Sequence, residues 1–363
     1  MIGLMSGTSM DGLDICRADV DFRGESVRFR ILGARTDPFP SSLRDAIGAA
    51  LSGRVEDVSG LHYRLGKFYA ERTLQFASEL EDRRVDAVAM HGQTLYHASG
   101  KHTLQVGEPS FLAEALGVPV VSDFRARDIA VGGTGAPLIP MVDKWIFQRE
   151  REAVICLNLG GIANVTYLPS RLSGDPVTGF DTGPGMALLD EAVRKTGKGV
   201  VDPGGKFASR GRPVQEWVDT WMTDEFVRIS PPKSTGRDRF GSAWLKANVP
   251  GERGGRAEDI LASLSLFTAR SVALNCREFT DLRPVTTVIV SGGGVHHVPV
   301  MEMLSREFAP IDVVSSGTIG VDPDMKEALG FALFGAAFFK GIPGNLPSVT
   351  GAARPVVLGK LTP

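Results

Sequence analysis

Ile2-Gly3-Leu4-Met5-Ser6-Gly7-Thr8-Ser9-Met10-Asp11-Gly12-Leu13-Asp14 is the stretch on which the fold turns. Ile2–Met5 is apolar and reads as a strand. Ser6 through Gly12 is a glycine-rich turn, and its Asp11-Gly12 pair is a strong hairpin signal. Leu13, Ile15, Ala18 and Val20 continue an apolar pattern, and Val27, Phe29 and Ile31 then alternate with Arg28 and Arg30. That alternation has the period of a third strand. The expected opening is three consecutive antiparallel strands.

Downstream, a helix is expected over about 41–51, with Ser41 as its cap and Leu43, Ile47 and Leu51 on one face. A longer one is expected over about 57–81, with Leu61, Leu65, Phe68 and Phe76 on its apolar side. Val85–Met90 reads as a buried strand ending at His91-Gly92-Gln93-Thr94, and Val118–Val121 as another ending at Ser122-Asp123. Strands that alternate with helices and end in polar clusters predict a doubly wound α/β domain with chemistry at the strand carboxyl ends.

Gly132-Gly133-Thr134-Gly135-Ala136-Pro137 punctuates the chain, and the pattern then restarts. Ala153–Leu157, the Gly/Asn turn 158–164 and Val165–Leu168 repeat the strand–turn–strand layout of the opening. A weak internal duplication of this kind predicts two similar domains, and 363 residues suit two better than one. A helix at about 257–279, a buried strand at Val285–Val290 before Gly292-Gly293-Gly294, and a last long helix at about 323–339 complete the reading. Gly251–Gly255 and Pro343–Pro363 read as loops. The first domain is expected at 1–130 plus 326–363, the second at 131–325.

A charged fraction of 23% and a net charge of -2 point away from nucleic acid or membrane as main partners. Cys16, Cys156 and Cys276 are far apart with no CxxC pair, so a structural zinc site is not expected and reduced thiols of a cytoplasmic protein are. The N-terminus lacks the pattern of a signal peptide, and no apolar run approaches the ~18 residues of a membrane span.

The turn 7–14 has two readings. Its glycines let backbone N–H groups face an anion, Thr8 and Ser9 add hydroxyl donors, and Asp11 suits a hydrated magnesium ion. It is equally a hairpin tip. Rival motifs fail on context. Gly7-Thr8-Ser9-Met10 matches a subtilisin serine loop, but Asp-Gly follows it and no chain precedes it to supply the partner residues. Asp181-Thr182-Gly183 matches an aspartic protease loop, but a second such loop is missing. Neither GxxxxGK[ST] nor a GxGxxG after a strand is present. His91, His97 and His102 do not share one helical face.

Leu4 through Asp14 resembles the nucleotide-phosphate loop of the anhydro-N-acetylmuramic acid kinase family. Further blocks recur in that family's order: His91-Gly92-Gln93-Thr94; Asp123-Phe124-Arg125 with Asp128; Gly135-Ala136-Pro137-Leu138; and Asn158-Leu159-Gly160-Gly161-Ile162-Ala163-Asn164. They continue with Gly179-Phe180-Asp181-Thr182-Gly183-Pro184-Gly185, Pro231-Pro232-Lys233-Ser234-Thr235-Gly236-Arg237, Gly292-Gly293-Gly294, Asp322-Pro323-Asp324 through Lys326-Glu327-Ala328, and Pro347 through Ala352. Three positions depart from the pattern. Met186 and His297 stand where Asn is common, and Thr134 where Gln is common. They bear on the sugar and adenine-side contacts.

The resemblance implies two RNase H-like α/β domains of actin/hexokinase type around an interdomain cleft, with ATP, magnesium and a 1,6-anhydro sugar as ligands. It implies that water opens the anhydro ring at C1 and that the freed O6 takes the γ-phosphoryl group, giving N-acetylmuramic acid 6-phosphate in cell-wall recycling. Asp181 is the expected general base, and a capping aspartate is its bland alternative. The family assignment gives Gly7, Thr8, Ser9, Met10, Asp11, Gly12, Leu13 and Asp14 to the β- and γ-phosphates, Gly160 and Gly161 to a matching second loop, and Gly292, Gly293 and Gly294 to the adenosine. His91, Gln93, Asp123 and Arg125 become sugar or site-organising contacts, and Asp11 and Glu327 candidates for the magnesium shell or for active-site polarity. A homodimer is implied by the resemblance alone. A levoglucosan-type kinase and a non-catalytic sugar sensor on the same fold are the alternatives.

Overall fold

The structure is a computed structural model that describes residues 1–7, 10–197, 199–249 and 255–363. It divides into two compact units, Met1–Ile146 with Met325–Pro363, and Phe147–Asp324.

In the first unit β1 (Ile2–Ser6), β2 (Gly12–Arg23) and β3 (Ser26–Pro38) form the expected antiparallel meander. β4 (Val88–Ala98) lies parallel to β1, β5 (His102–Val106) folds back on β4, and β6 (Val120–Ser122) lies parallel to β4. The order is β3-β2-β1-β4-β6, with the last strand of the chain, Lys360–Thr362, beyond β6. Helix Val55–Glu79 turns Leu61, Leu65, Tyr69 and Phe76 into a core shared with Leu4, Ile15 and Val88.

In the second unit β7 (Ala153–Leu159), β8 (Ile162–Leu168) and β9 (Thr178–Pro184) are antiparallel, and β10 (Val285–Ser291) and β11 (Asp312–Ser315) join parallel to β7. The order β9-β8-β7-β10-β11 repeats that of the first unit. Three antiparallel strands followed by two parallel ones, twice in one chain, make a doubled RNase H-like α/β fold of the actin/hexokinase type. Helix Ala257–Phe279 serves two cores. Ala269, Val272, Ala273 and Cys276 cover the sheet, and Leu261, Leu264 and Phe267 meet Trp221, Trp244 and Phe240 on the other side.

Several expectations shift. The first unit runs to Ile146, not 130, because helix Ile139–Phe147 is bound to it. Trp145 packs on Phe22 and Phe334 with ring centroids 5.2 and 5.4 Å apart, and buried Asp143 pairs with buried Lys326 at 2.8 Å. Pro40 stands at the cap of helix Ser41–Ala50, and no side-chain capping bond is made there. β4 does not stop at Met90, since pairing with β5 carries it on through polar residues to Ala98. The tail is not all loop, because it holds helix Pro347–Thr350 and the strand against β6. The last long helix begins at Lys326. Residues 251–254 of the expected Gly251–Gly255 loop lie outside the described residues. Among the described residues no helix is long and apolar enough to cross a membrane.

Helix Lys326–Phe339 lies directly on β1. A Cβ on Gly3 would sit 2.0 Å from the Ala328 carbonyl oxygen and 2.4 Å from the Ala332 nitrogen. Gly3→Ala must push that helix off the sheet. Urea denaturation is expected to show a loss of about 1–3 kcal/mol or more, and an unchanged midpoint would contradict this packing.

Candidate active site

The first unit gathers its chemistry where β1 and β4 end. The ladder between them shifts register at Ser6, which pairs with Gln93. Both side chains are buried. The Ser6 hydroxyl donates to Gln93 Oε1, and Gln93 Nε2 donates to the Gly7 carbonyl at 3.2 Å. That carbonyl also accepts from the Met10 N–H at 3.2 Å, closing a turn in which Met10 has φ 59°. Gln93 is thus a brace for the turn. Thr8 and Ser9 lie outside the described residues. Asp11 is exposed, Leu13 points into the core, and Asp14 accepts from the Thr36 hydroxyl at 2.5 Å within the β2–β3 pair. Leu13 therefore has only its backbone to offer a ligand.

His91 is buried against Phe331, with ring centroids 4.8 Å apart, and its Nε2 faces Arg125 Nε at 3.1 Å and Nη2 at 2.9 Å. Guanidinium only donates, so Nε2 accepts and the ring proton sits on Nδ1. Burial first, and the Arg125 charge second, hold His91 well below its ordinary range. It is neutral at pH 7 and poorly placed to act as a base. Arg125 also donates to the Gly135 carbonyl at 2.9 Å. Burial brings Arg125 down to about 10, opposed by Glu327. Burial raises Glu327, while Lys326 and Arg125 pull it back.

Asp123, at φ 54°, pairs with Lys360 of the terminal strand. Asp128 is fully buried and accepts from the Gly135 N–H at 2.8 Å, Asn345 Nδ2 at 2.7 Å and the Thr350 hydroxyl at 2.8 Å. These three residues, to which the sequence reading attached no role, tie the 132–137 loop to the tail. Thr134 is spent in the same place, donating to the Ala136 and Thr350 carbonyls.

In the second unit Asp181 sits mid-strand in β9, opposite Asn164, and not at a strand end. The strand continues because Gly183 and Pro184 still pair with Ala163 and Ile162. Oδ2 of Asp181 accepts from the Ser234 hydroxyl at 3.0 Å and the Thr235 N–H at 2.8 Å, and its own N–H donates to the Lys233 carbonyl at 3.2 Å. Oδ1 has no hydrogen-bond partner among the described residues. Burial raises the carboxyl, and the Thr235, Ser234 and Lys233 contributions lower it. Sequence reasoning missed Ser234 and Thr235. The polar run after Pro231-Pro232 was the available signal.

Gly160 and Gly161 cap helix Ala187–Lys195. Their carbonyls accept from Met186 at 2.8 Å, and from Gly185 and Ala187 at 3.0 Å each. Gly292, at φ 85°, donates its N–H to the Pro323 carbonyl, and a Cβ on it would lie 2.6 Å from Asn158 Oδ1. A Cβ on Gly294 would meet Leu159 at 2.6 Å and Met186 Sδ at 3.1 Å. The 158–161 and 292–294 turns are therefore one assembly at adjacent strand ends, and Met186 lines it. His297 is buried with Nε2 3.5 Å from Asp202, and burial lowers its pKa against the pull of that carboxylate.

The anhydro-N-acetylmuramic acid kinase family model matches residues 1–363. The chain is 40% identical over 381 residues to the anhydro-N-acetylmuramic acid kinase of Salinibacter ruber, covering all of this chain and 96% of that one. It is 40% identical to the Streptomyces coelicolor protein of the same name, covering 100% and 93%, and 38% to that of Cupriavidus metallidurans, covering 100% and 97%. Similarity to the solved (R)-2-hydroxyglutaryl-CoA dehydratase component A of Acidaminococcus fermentans is slight, at 13% identity and a TM-score of 0.46 over 92% of this chain and 96% of that one. The full-length match and the shared order of its motifs place this chain in the anhydro-N-acetylmuramic acid kinase family.

Proposed function

We propose that this chain is an ATP-dependent kinase that opens 1,6-anhydro-N-acetylmuramic acid with water and phosphorylates O6. The product is N-acetylmuramic acid 6-phosphate, in recycling of cell-wall material. The observation that carries the reading is the carboxylate of Asp181, held at Oδ2 and open at Oδ1. Water is a poor nucleophile and needs a positioned base, typically worth ~10²–10⁴ in rate.

The steps balance as follows. Water attacks C1 and gives its proton to Asp181 Oδ1. The C1–O6 bond breaks with its electron pair on O6. O6 takes the γ-phosphoryl group of ATP, and ADP leaves. Burial of Asp181 supports this role, since a carboxyl above its ordinary range is the stronger base once ionised.

The turn from Gly7 to Asp14 serves the β- and γ-phosphates in this reading, Gly160 and Gly161 a second phosphate contact, and Gly292, Gly293 and Gly294 the adenosine. His91 and Arg125 organise the sugar side as a neutral ring locked to a guanidinium. Among the described residues no cluster of His, Cys, Asp or Glu forms a metal cage. Magnesium held mostly by phosphate oxygens and water needs only a carboxylate or two. Exposed Asp11 fits that demand. Glu327, facing the Arg125 charge, fits active-site polarity better than a cation. Bound magnesium would neutralise the phosphate oxygens during transfer.

ADP release with ATP, magnesium and 1,6-anhydro-N-acetylmuramic acid, beside levoglucosan and N-acetylmuramic acid, tests the reading. Turnover with the muramyl anhydrosugar alone is expected. Turnover with levoglucosan alone would move the substrate, and ATP binding with no turnover would leave a sensor. Asp181→Asn is expected to lower kcat by at least ~100-fold while ATP still binds. Only the ionised carboxyl accepts a proton, so kcat should fall as pH drops through the Asp181 pKa, which burial raises above the ordinary carboxylate value. A flat acidic limb would count against the base. Gln93→Leu removes the brace on the Gly7 carbonyl and is expected to raise KM for ATP roughly tenfold, with the sugar KM little changed. A rise in the sugar KM alone would make Gln93 a sugar contact.

A further inference from the structure

Lys233 is 8% exposed, though it carries a charge and lies beside the proposed base. Its ammonium donates to the Phe226 carbonyl at 2.9 Å and the Val227 carbonyl at 3.4 Å, both in helix Glu225–Arg228. It also sits 5.0 Å from the ring centre of Phe226 and 5.3 Å from that of Phe279. Phe279 ends helix Ala257–Phe279 and packs edge-on against Phe180, the residue before Asp181 in β9, with centroids 6.1 Å apart. One ammonium thus joins the short helix, the long helix and the segment 233–235. That segment shares three hydrogen bonds with Asp181, through the Lys233 carbonyl, the Ser234 hydroxyl and the Thr235 N–H.

A buried ammonium is costly unless its hydrogens are taken up and an opposite charge is near. Here backbone carbonyls and aromatic faces supply the first and Asp181 and Glu278 the second. Burial still brings Lys233 down to about 8. An apolar residue in the same aromatic box would pack without that cost, but it would cut the hydrogen-bonded tie from segment 233–235 to helix Glu225–Arg228.

We infer that Lys233 is a positioning residue for the reaction, tying segment 233–235 in place so that Asp181 is aimed and kept as the carboxylate. The inference rests on the reading of Asp181 as the base. Among the described residues, Lys233, Asp181 and Glu278 are the charged groups that act on one another here, and the Arg239 guanidinium lies 5.7 Å from the Phe226 ring centre. Lys233→Met removes donor and charge. Lys233→Gln removes the charge and keeps a donor.

The test compares both variants of the full chain with wild type. One readout is the pH profile of kcat. Another is the titration of the Asp181 carboxyl by carbon NMR, assigned by its loss in Asp181→Asn. Losing a nearby cation and slackening two donors both disfavour the carboxylate, so the titration and the acidic limb should move to higher pH. The expected shift is about one unit in Lys233→Met and about half that in Lys233→Gln. kcat should fall roughly tenfold in the first and roughly threefold in the second, with KM for ATP unchanged. Asp181 titrating as in wild type, in either variant that folds, overturns the inference, because a purely structural lysine would alter stability and leave that titration alone. The NMR readout needs no turnover. A wild type inactive on the anhydrosugar would defeat the kinase reading while the Lys233–Asp181 link was still being measured.

Discussion

Two hydrogen bonds that converge on one oxygen of Asp181 are the constraint on which this reading of the protein depends. Bonds to a charged group are worth about 1.5–3 kcal/mol each, enough to hold the carboxylate in one orientation and to offset part of its burial. Because both fall on Oδ2, Oδ1 remains for a proton. The arrangement needs β9 to run past Asp181 in pairing with β8, and it needs segment 233–235 to be fixed from behind. A capping aspartate would have served helix Ala187–Lys195 directly. At that helix the N–H groups of residues 185–187 are taken up instead by the carbonyls of Gly160 and Gly161, so Asp181 is not its cap.

The first unit solves a different problem with the same means. A glycine-rich turn is useful to phosphates only if its peptide planes are held, and glycine resists that by its freedom. The structure answers with buried side chains: Gln93 holds the Gly7 carbonyl, and Ser6 holds Gln93. Nearby, Arg125 is largely committed to His91 and Gly135, and Asp128 is saturated by Gly135, Asn345 and Thr350. A buried carboxylate that accepts three hydrogen bonds, as Asp128 does, rigidifies its surroundings. In the proposed reading, the sugar side is therefore built in advance.

Much of the fold was legible in local pattern. The alternation of Val27, Phe29 and Ile31 marks an edge strand, and the apolar run of 257–279 has the bounds of its helix. The doubled sheet order follows from the restart after Pro137. Long-range pairing was not legible. Gln93 sits in a polar cluster that reads as a ligand site, and its partner Ser6 lies 87 residues away. β4 looked finished at Met90 because its outer half is polar, yet β5 sustains it. The unit boundary fell late because the ties of Trp145 and Asp143 to the first unit come mainly from the far end of the chain. Asp181 was identifiable through its motif, whereas Ser234 and Thr235, more than fifty positions on, became meaningful only once folded against it.

The central claim is that ring opening by water and phosphoryl transfer to O6 are one coupled event with Asp181 as base. The mass of the phosphorylated product tests it most directly. The account predicts a product heavier than 1,6-anhydro-N-acetylmuramic acid by one phosphoryl group and one water, formed one-for-one with ADP, and carrying heavy oxygen when made in labelled water. A product heavier by the phosphoryl group alone would show that another hydroxyl is phosphorylated while the ring stays closed, and would contradict the account.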